Sequence, residues 1–481
     1  MSYNSLSYNY DWLLINKRRK FLNWESEKKN IRFLKKWSSV QIITVGFLLL
    51  TLVGASILSL PISSSNGQPT NFVDSLFTAT SAVCVTGLVV FDTATHWSLF
   101  GKVVIISLIQ IGGLGFMTIA TMISLIRGKK INLKERLLIQ ESLNQIDLSG
   151  IVNLTRKIIF MVFAIEAIGG IILSISFIPR FGLITGLAYG FFHSISAFCN
   201  AGFDLMGSIS GQFSSLTSLY DNSLVMITVS LLIILGGLGY PVILDVLHTR
   251  SLKKLTIHSK LVITSTIILL LIGFVFILGV EYNNPDTLGN MDMKGKLLSS
   301  MFQTTTLRTA GFNSIDLSLT KEPTIFLMVI LMLIGASPAS TGGGIKTTTV
   351  AVLFLTVKDF LCGKDEIHIF ERSISSESIK KAMVIFFIAI FIFIIGTLAL
   401  SLTNPQFSLI ECVFEVMSAY ATVGLSIGGS PNLNVVGKLI IMILMFLGRV
   451  GSLTIFTAIL SINIAKKDKN IKRPKGKIII G

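Results

Sequence analysis

The feature that most restricts this chain is the recurrence of apolar runs of about twenty residues, the length at which a helix crosses a hydrocarbon layer. They fall near 40–60, 100–125, 158–178, 223–247, 261–280, 324–357, 382–402 and 436–464. Lipid offers a backbone no hydrogen-bonding partner, so such runs fold as helices that satisfy their own N–H and C=O groups. With 51% hydrophobic and only 14% charged residues among 481, an ordinary soluble domain is excluded. The expected class is an all-α integral membrane protein with eight spanning helices.

The charges agree with that class. Of 41 Lys and Arg, 32 fall in the segments 1–39, 127–157, 246–260, 358–381 and 464–481, between or outside the apolar runs. Basic residues gathered on alternate connections are the positive-inside signature. The net charge of +16 therefore faces anionic lipid headgroups or an acidic protein partner on the cytoplasmic side, and nucleic acid is not needed to explain it. No apolar stretch with a cleavage site precedes the first run. Both termini are expected in the cytoplasm, with the chain in the cell inner (cytoplasmic) membrane. The basic tail at 16–37 carries interleaved aromatics and reads either as a helix lying on the inner leaflet or as a solvated tail. Cys84, Cys199, Cys362 and Cys412 have no metal-ligand spacing and read as packing residues.

A fourfold repeat organises the runs. Between the two members of each pair lies a segment too short to cross, near 71–83, 184–199, 296–306 and 409–421, each followed by one glycine. These glycines are Gly87, Gly202, Gly311 and Gly424, spaced 115, 109 and 113 residues apart. A spacing that long and even marks one structural unit used four times. The units are 40–130, 151–248, 258–358 and 378–464, flanked by basic tails at 1–39 and 465–481. A twelve-residue helix covers roughly 18 Å, about half a membrane, and must hide its frayed end in protein or beside water. The expected architecture is four re-entrant half-helices with pseudo-fourfold symmetry around a central pore.

The loops read Val85-Thr86-Gly87, Asn200-Ala201-Gly202, Thr309-Ala310-Gly311 and Thr422-Val423-Gly424. A half-helix ends in partial negative charge, which favours a cation just beyond it. A ring of backbone carbonyls replaces the water of an ion, and glycine reaches the required backbone conformations cheaply. Membrane glycines mostly serve close helix packing, but four at equivalent places point to an ion filter. Gly112-Gly113-Leu114-Gly115, Gly236-Gly237-Leu238-Gly239 and Gly448-Arg449-Val450-Gly451 recur in second helices, where they let helices cross tightly or bend.

The long run in the third unit is interrupted at 335–349 by Gly335, Ala336, Ser337, Pro338, Ser340, Thr341, Gly342, Gly343, Gly344 and Lys346. Proline removes a helix donor, and non-helical backbone at membrane depth is tolerated only in protein or beside a water-filled cavity. An ordinary surface loop would upset the even helix count. Arg449, inside an apolar helix, is costly there and needs a cavity or a partner. Glu415 or the carbonyls of 335–349 are the candidates for that partner. Arg308 is expected to brace its loop from behind, Asp74 to complement its half-helix dipole, and His193 to be a hydrogen-bonded packing residue. Glu166 is the carboxylate that falls well inside a long spanning run.

The stretches Ser81–Leu88, Phe198–Asp204, Arg308–Asn313 and Ala421–Ser426 together resemble the superfamily of Trk, Ktr and HKT potassium transporters over roughly 40–464. The similarity is greatest to the membrane subunit of the bacterial Ktr system, because one spanning run, without an extra helix pair, precedes Gly87. The resemblance implies gated K+ uptake, with K+ held at the filter only and Na+ as a candidate coupling or activating ion. It implies that 335–349 is an intramembrane gating loop and that Arg449 faces the pore near filter and gate. It also implies a homodimer on a cytosolic nucleotide-binding regulatory ring, with the nucleotide on that ring and no cofactor on this chain. A Trk-type or secondary cation transporter is the alternative, weakened by the scarcity of intramembrane carboxylates and the parallel repeats. A membrane-embedded enzyme would need a nucleophile, acid–base pair or metal cluster, and neither an H-E-x-x-H motif nor a Cys/His cluster is present.

Overall fold

The computed structural model describes residues 39–127, 131–142, 150–364, 367–370 and 372–451. The two basic tails, including 16–37 and 465–481, lie outside the described residues.

Each unit is a first helix, a half-helix and a second helix. The first helices are Ser39–Leu58, Ile151–Phe181, Ile257–Glu281 and Ser376–Thr403, each long and apolar enough to span. The half-helices are Phe72–Cys84, Leu183–Phe198, Met293–Thr306 and Leu409–Tyr420, of 13, 16, 14 and 12 residues. Three of them start on side-chain caps. Asn71 accepts from Val73 N, Asp292 accepts from Gly295 N, and Ser408 forms a capping box with Glu411. Such caps satisfy amides that lipid would leave bare. The second half-helix instead follows its first helix directly through Gly182.

The second helices are less regular than the first. Those of the first two units are bent pairs, Leu99–Leu114 with Phe116–Ile126 and Ser223–Leu238 with Tyr240–Thr249. The bends of 93° and 99° fall at Gly115 and Gly239, the last glycines of the two matching motifs. The third is split into Glu322–Leu333 and Thr347–Leu361, so the non-helical stretch ends at Lys346 and not at 349. The fourth is Val435–Val450, and the residues after Gly451 lie outside the described ones. The all-α class holds, with one minor extended element among the described residues. An antiparallel hairpin of two-residue strands, His368–Ile369 with Arg372–Ser373, sits in the connection before the fourth unit, where no apolar run forces a helix.

The units close on themselves. The second helix of the first unit packs on the second half-helix, that of the second unit on the third, and the first piece of the third on the fourth. The second helix of the fourth unit returns to the first half-helix, completing the cycle. Each half-helix is thereby wedged between helices of its own unit and the preceding one. This buries ends that are frayed by construction.

Candidate ion pathway

The four glycine loops share one backbone pattern. The glycines have φ of 96°, 68°, 84° and 90° for Gly87, Gly202, Gly311 and Gly424. Two residues earlier, Val85, Asn200, Thr309 and Thr422 also lie in the left-handed region, at 56°, 58°, 67° and 51°. Thr86, Ala201, Ala310 and Val423 between them stay out of it. Sequence reasoning assigned the unusual conformation to glycine alone and missed this second position. Asparagine tolerates it, whereas valine and threonine are strained there by roughly 1–3 kcal/mol each.

Hydrogen bonds from the half-helices hold that strain. Thr86 N donates to Ser81 O at 2.8 Å, Ala201 N to Ser196 O at 2.7 Å and Val423 N to Ser418 O at 2.8 Å. In the third unit Ala310 N reaches Thr306 O at 2.9 Å. The serines contribute twice. Ser81 Oγ accepts from Gly87 N at 3.0 Å, Ser418 Oγ accepts from Gly424 N at 3.1 Å, and Ser196 Oγ donates to Phe203 O at 2.7 Å. Six residues before Gly311 the matching hydroxyl, that of Thr305, turns back to Met301 O, so the third loop lacks this brace.

The loops meet as a ring. A Cβ on Gly87 would fall 2.5 Å from the Ala201 carbonyl oxygen, one on Gly202 2.6 Å from Ala310 O, and one on Gly311 2.7 Å from Val423 O. A Cβ on Gly424 would collide with Thr86 O, which closes the circle. Each glycine thus abuts the carbonyl of the residue before its neighbour's glycine, with no room for a side chain. On one side of the ring opens a cavity of about 690 Å³, lined by the four glycines and by Asp92 and Asp204 among others. Burial pushes the Asp204 carboxyl up to about 7, and the nearby Asp92 adds to the shift.

The interrupted segment lies against the other side. Gly342 abuts the Thr309 side chain and Gly344 abuts Ala421, while Gly343 N donates to Thr422 Oγ1 at 3.1 Å. The segment is stitched to the second helix of the second unit. Ser337 N donates to Gly237 O at 3.0 Å, Thr341 N to Gly236 O at 3.2 Å, and Tyr240 N returns a bond to Ala339 O at 2.9 Å. Ser340 Oγ donates to Ser337 O, Ser337 and Thr347 hydroxyls pair at 2.9 Å, and Thr341 Oγ1 donates to Phe198 O at 3.1 Å. Pro338, preceding Ala339 with its φ of 54°, turns the chain at the far end. Gly335 and Ala336 bond back to Ile345 and Gly343 across the base.

Arg449 finds its partner among the carbonyls of this segment. It donates to Thr341 O and, from the other side of its fork, to Gly112 O and to Gly113 O at 3.2 Å. Glu415 is not its partner. That carboxylate is fully buried and accepts from Ser426 Oγ and from Ser430 Oγ at 2.6 Å, behind the fourth loop. Lys346 Nζ donates to Gly342 O at 2.7 Å. Two cationic side chains therefore attach to the segment beneath the ring.

The remaining sequence candidates are spread around this core. The Arg308 carbonyl accepts from Asn200 Nδ2 at 3.2 Å, an amide that also reaches Thr309 Oγ1 at 3.3 Å, so the second and third loops are cross-linked. The Arg308 side chain is buried, and its Nε and Nη2 have no hydrogen-bond partner among the described residues. Glu166 is held by Gln110 Nε2, which is 3.1 Å from both carboxylate oxygens. His193 uses both ring nitrogens, with Nδ1 2.7 Å from Tyr189 O and Nε2 accepting from Leu205 N at 3.3 Å. Asp74 lies in the first turn of its half-helix and pairs with Lys438 Nζ at 2.6 Å. Lys438 was missed because its partner is 364 residues away; a lysine inside an apolar run was the signal.

Four re-entrant half-helices whose loops close into a ring, between a cavity and a latched segment, define a membrane-embedded pore architecture. The sequence model of the TrkH family, cation transport proteins, matches residues 18–472. The Ktr system potassium uptake protein B of Bacillus subtilis is 43% identical over 447 residues, covering 93% of this chain and 97% of that protein. The potassium/sodium uptake protein NtpJ of Enterococcus hirae is 40% identical over 457 residues, covering 94% and 99%. Among solved structures, the potassium transporter TrkH from Vibrio parahaemolyticus superposes with a TM-score of 0.66 at 16% identity, over 89% of this chain and 86% of that one. The chain belongs to the TrkH family of cation transport proteins.

Proposed function

We propose that this chain is the ion-translocating subunit of a Ktr-type system, carrying K+ inward across the cytoplasmic membrane through the ring of four glycine loops. The observation that carries this reading is the closed circle of Gly87, Gly202, Gly311 and Gly424 against their neighbours' carbonyls. Carbonyl oxygens held in place by strained, hydrogen-bonded backbone can replace a cation's hydration shell. The filter residues are Val85, Thr86, Asn200, Ala201, Thr309, Ala310, Thr422 and Val423 with the four glycines. The gate is the segment from Gly335 to Lys346, held by Arg449. The choice of K+ is supported by the names of the Bacillus and Enterococcus relatives, and the second of those names favours Na+ as an additional transported ion.

The basic segments lie on the cytoplasmic side, so both termini are cytoplasmic. The system name carried by the Bacillus relative supports partner subunits. The assembly is a homodimer seated on a cytosolic ring that carries the regulatory nucleotide.

The test is rubidium uptake, with Na+ competition, into a bacterium deficient in potassium uptake and expressing either wild type or Gly311→Ser. Uptake should be present in wild type and be lost, or become Na+-permeable, in the variant. Uptake indifferent to Gly311 in well-expressed protein means that the ring is a packing contact and the pore lies elsewhere.

A further inference from the structure

Three of the four loops are fastened a second time, beyond the glycine, by a buried side chain of their own half-helix. Three residues after each glycine stands an amide that this side chain accepts. Leu205 N donates to His193 Nε2 at 3.3 Å, Ser314 N to Gln303 Oε1 at 3.4 Å, and Ile427 N to the Glu415 carboxylate. His193 and Glu415 stand nine residues before their glycines and Gln303 stands eight before its own. All three are essentially inaccessible, at 1%, 0% and 0% exposure. The chemistry differs while the task repeats. A carbonyl only accepts, so the contact with Tyr189 O places the imidazole proton on Nδ1 and leaves Nε2 bare for Leu205 N. In the first unit the residue at that place is Thr78, whose hydroxyl turns back to Asp74 O, and the half-helix supplies no such acceptor.

We propose that His193, Gln303 and Glu415 are positioning residues that set the ring's discrimination between K+ and smaller cations by fixing the outer ends of their loops. This rests on the reading of the loops as the ion filter. A left-handed threonine two residues before a left-handed glycine, as at Thr309 and Thr422, persists only where the surroundings over-determine it. The inner ends are tied to half-helix carbonyls, and these three side chains tie the outer ends. With both ends fixed, the carbonyls cannot close in on a smaller ion. With one end slack, they adapt to it. The first loop, lacking the outer tie, is the compliant member of the ring.

Gln303 separates positioning from simple stability. Its Nε2 is buried without a partner among the described residues, so Gln303→Met removes one unsatisfied donor while it leaves another, Ser314 N, and it fills about the same space as it deletes the tie. The experiment compares wild type, Gln303→Met, His193→Leu, His193→Gln and Gly311→Ser in the full chain. It reads the Na+ concentration that halves rubidium uptake, together with the Tm of the purified protein. In Gln303→Met and His193→Leu that Na+ concentration should fall about fivefold, the size of one hydrogen bond's contribution. The Tm of Gln303→Met should stay close to wild type, because one unsatisfied buried donor replaces another. His193→Gln should restore discrimination, because glutamine makes this same bond in the third unit. If Gln303→Met folds and discriminates like wild type while Gly311→Ser does not, the ties are packing contacts and the inference fails. If Gly311→Ser also leaves discrimination intact, the filter reading itself is wrong.

Discussion

Arg449 joins the interrupted segment to the bend of the first unit through one guanidinium, which donates to Thr341 O on one side and to Gly112 O and Gly113 O on the other. Arginine's planar fork spans both targets at once, whereas a lysine ammonium on a flexible stem holds one. Charge and latch are therefore separable. Arg449→Lys keeps the positive charge beneath the ring but drops one side of the latch, and Arg449→Gln loses both. Charge-assisted hydrogen bonds are worth about 1.5–3 kcal/mol each, so unlatching should raise rubidium uptake at least tenfold. If the latch dominates, Lys and Gln variants transport alike and faster than wild type. Lysine behaving as wild type would mean that the charge, and not the latch, limits flux.

The pair between Asp74 and Lys438 fastens the first half-helix to the second helix of the fourth unit, the seam where the cycle of units closes. The two side chains are 16% and 13% exposed, so water screens the pair little. Removing one partner strands the other charge in a poorly solvated place, at a cost of roughly 3 kcal/mol. Asp74→Asn and Lys438→Met should each lower the Tm in detergent well beyond ordinary surface substitutions. The double variant should recover part of the loss, because neither charge is then left alone. Additive losses would show that the two residues act separately.

The even spacing of the four glycines made the half-helices and the ring legible, and the proline and glycines of 335–349 did the same for the interrupted segment. Those features are written locally, in run length, proline, and glycine after a short helix. The left-handed positions at Val85, Thr309 and Thr422 were not legible, because β-branched residues argue against that conformation until ring closure imposes it. The ties made by His193, Gln303 and Glu415 were hidden for a different reason: their residue types differ, and only counting back from each glycine reveals the shared place. Arg449's partners, finally, come from two other units and could be narrowed to loop carbonyls but not to Thr341.

Asp204 gives the mouth cavity a pH dependence. Its carboxyl is pushed up to about 7, so it is largely neutral below that pH and negative above it. A negative charge on the wall of the cavity raises the local cation concentration. Rubidium uptake at low external concentration should therefore fall as external pH drops from about 8 to about 6, while uptake at saturating concentration changes little. Asp204→Asn should hold the low value at both pH values. A variant that keeps the wild-type pH profile would assign the dependence to another group.

Gly236 and Gly237 are neighbours in one helix, alike in sequence and opposite in consequence. A Cβ on Gly236 would collide with Phe198 O and fall 2.7 Å from Asn200 Oδ1 and 2.9 Å from Thr341 Oγ1. Its nearest obstacle is backbone that is itself held by the second loop, so the clash cannot be relieved by rotating a side chain. A Cβ on Gly237 would find Asn200 Nδ2 at 3.5 Å and Ala336 Cβ at 3.9 Å, ordinary contact distances. Alanine is favoured over glycine within a helix by about 1 kcal/mol. Gly237→Ala should therefore transport normally with an unchanged or higher Tm. Gly236→Ala, which forces the helix away from both the second loop and the latched segment, should lose uptake and lower the Tm. Equal behaviour of the two variants in paired uptake and melting measurements would mean that the helix does not approach the ring as closely as Phe198 O and Thr341 require.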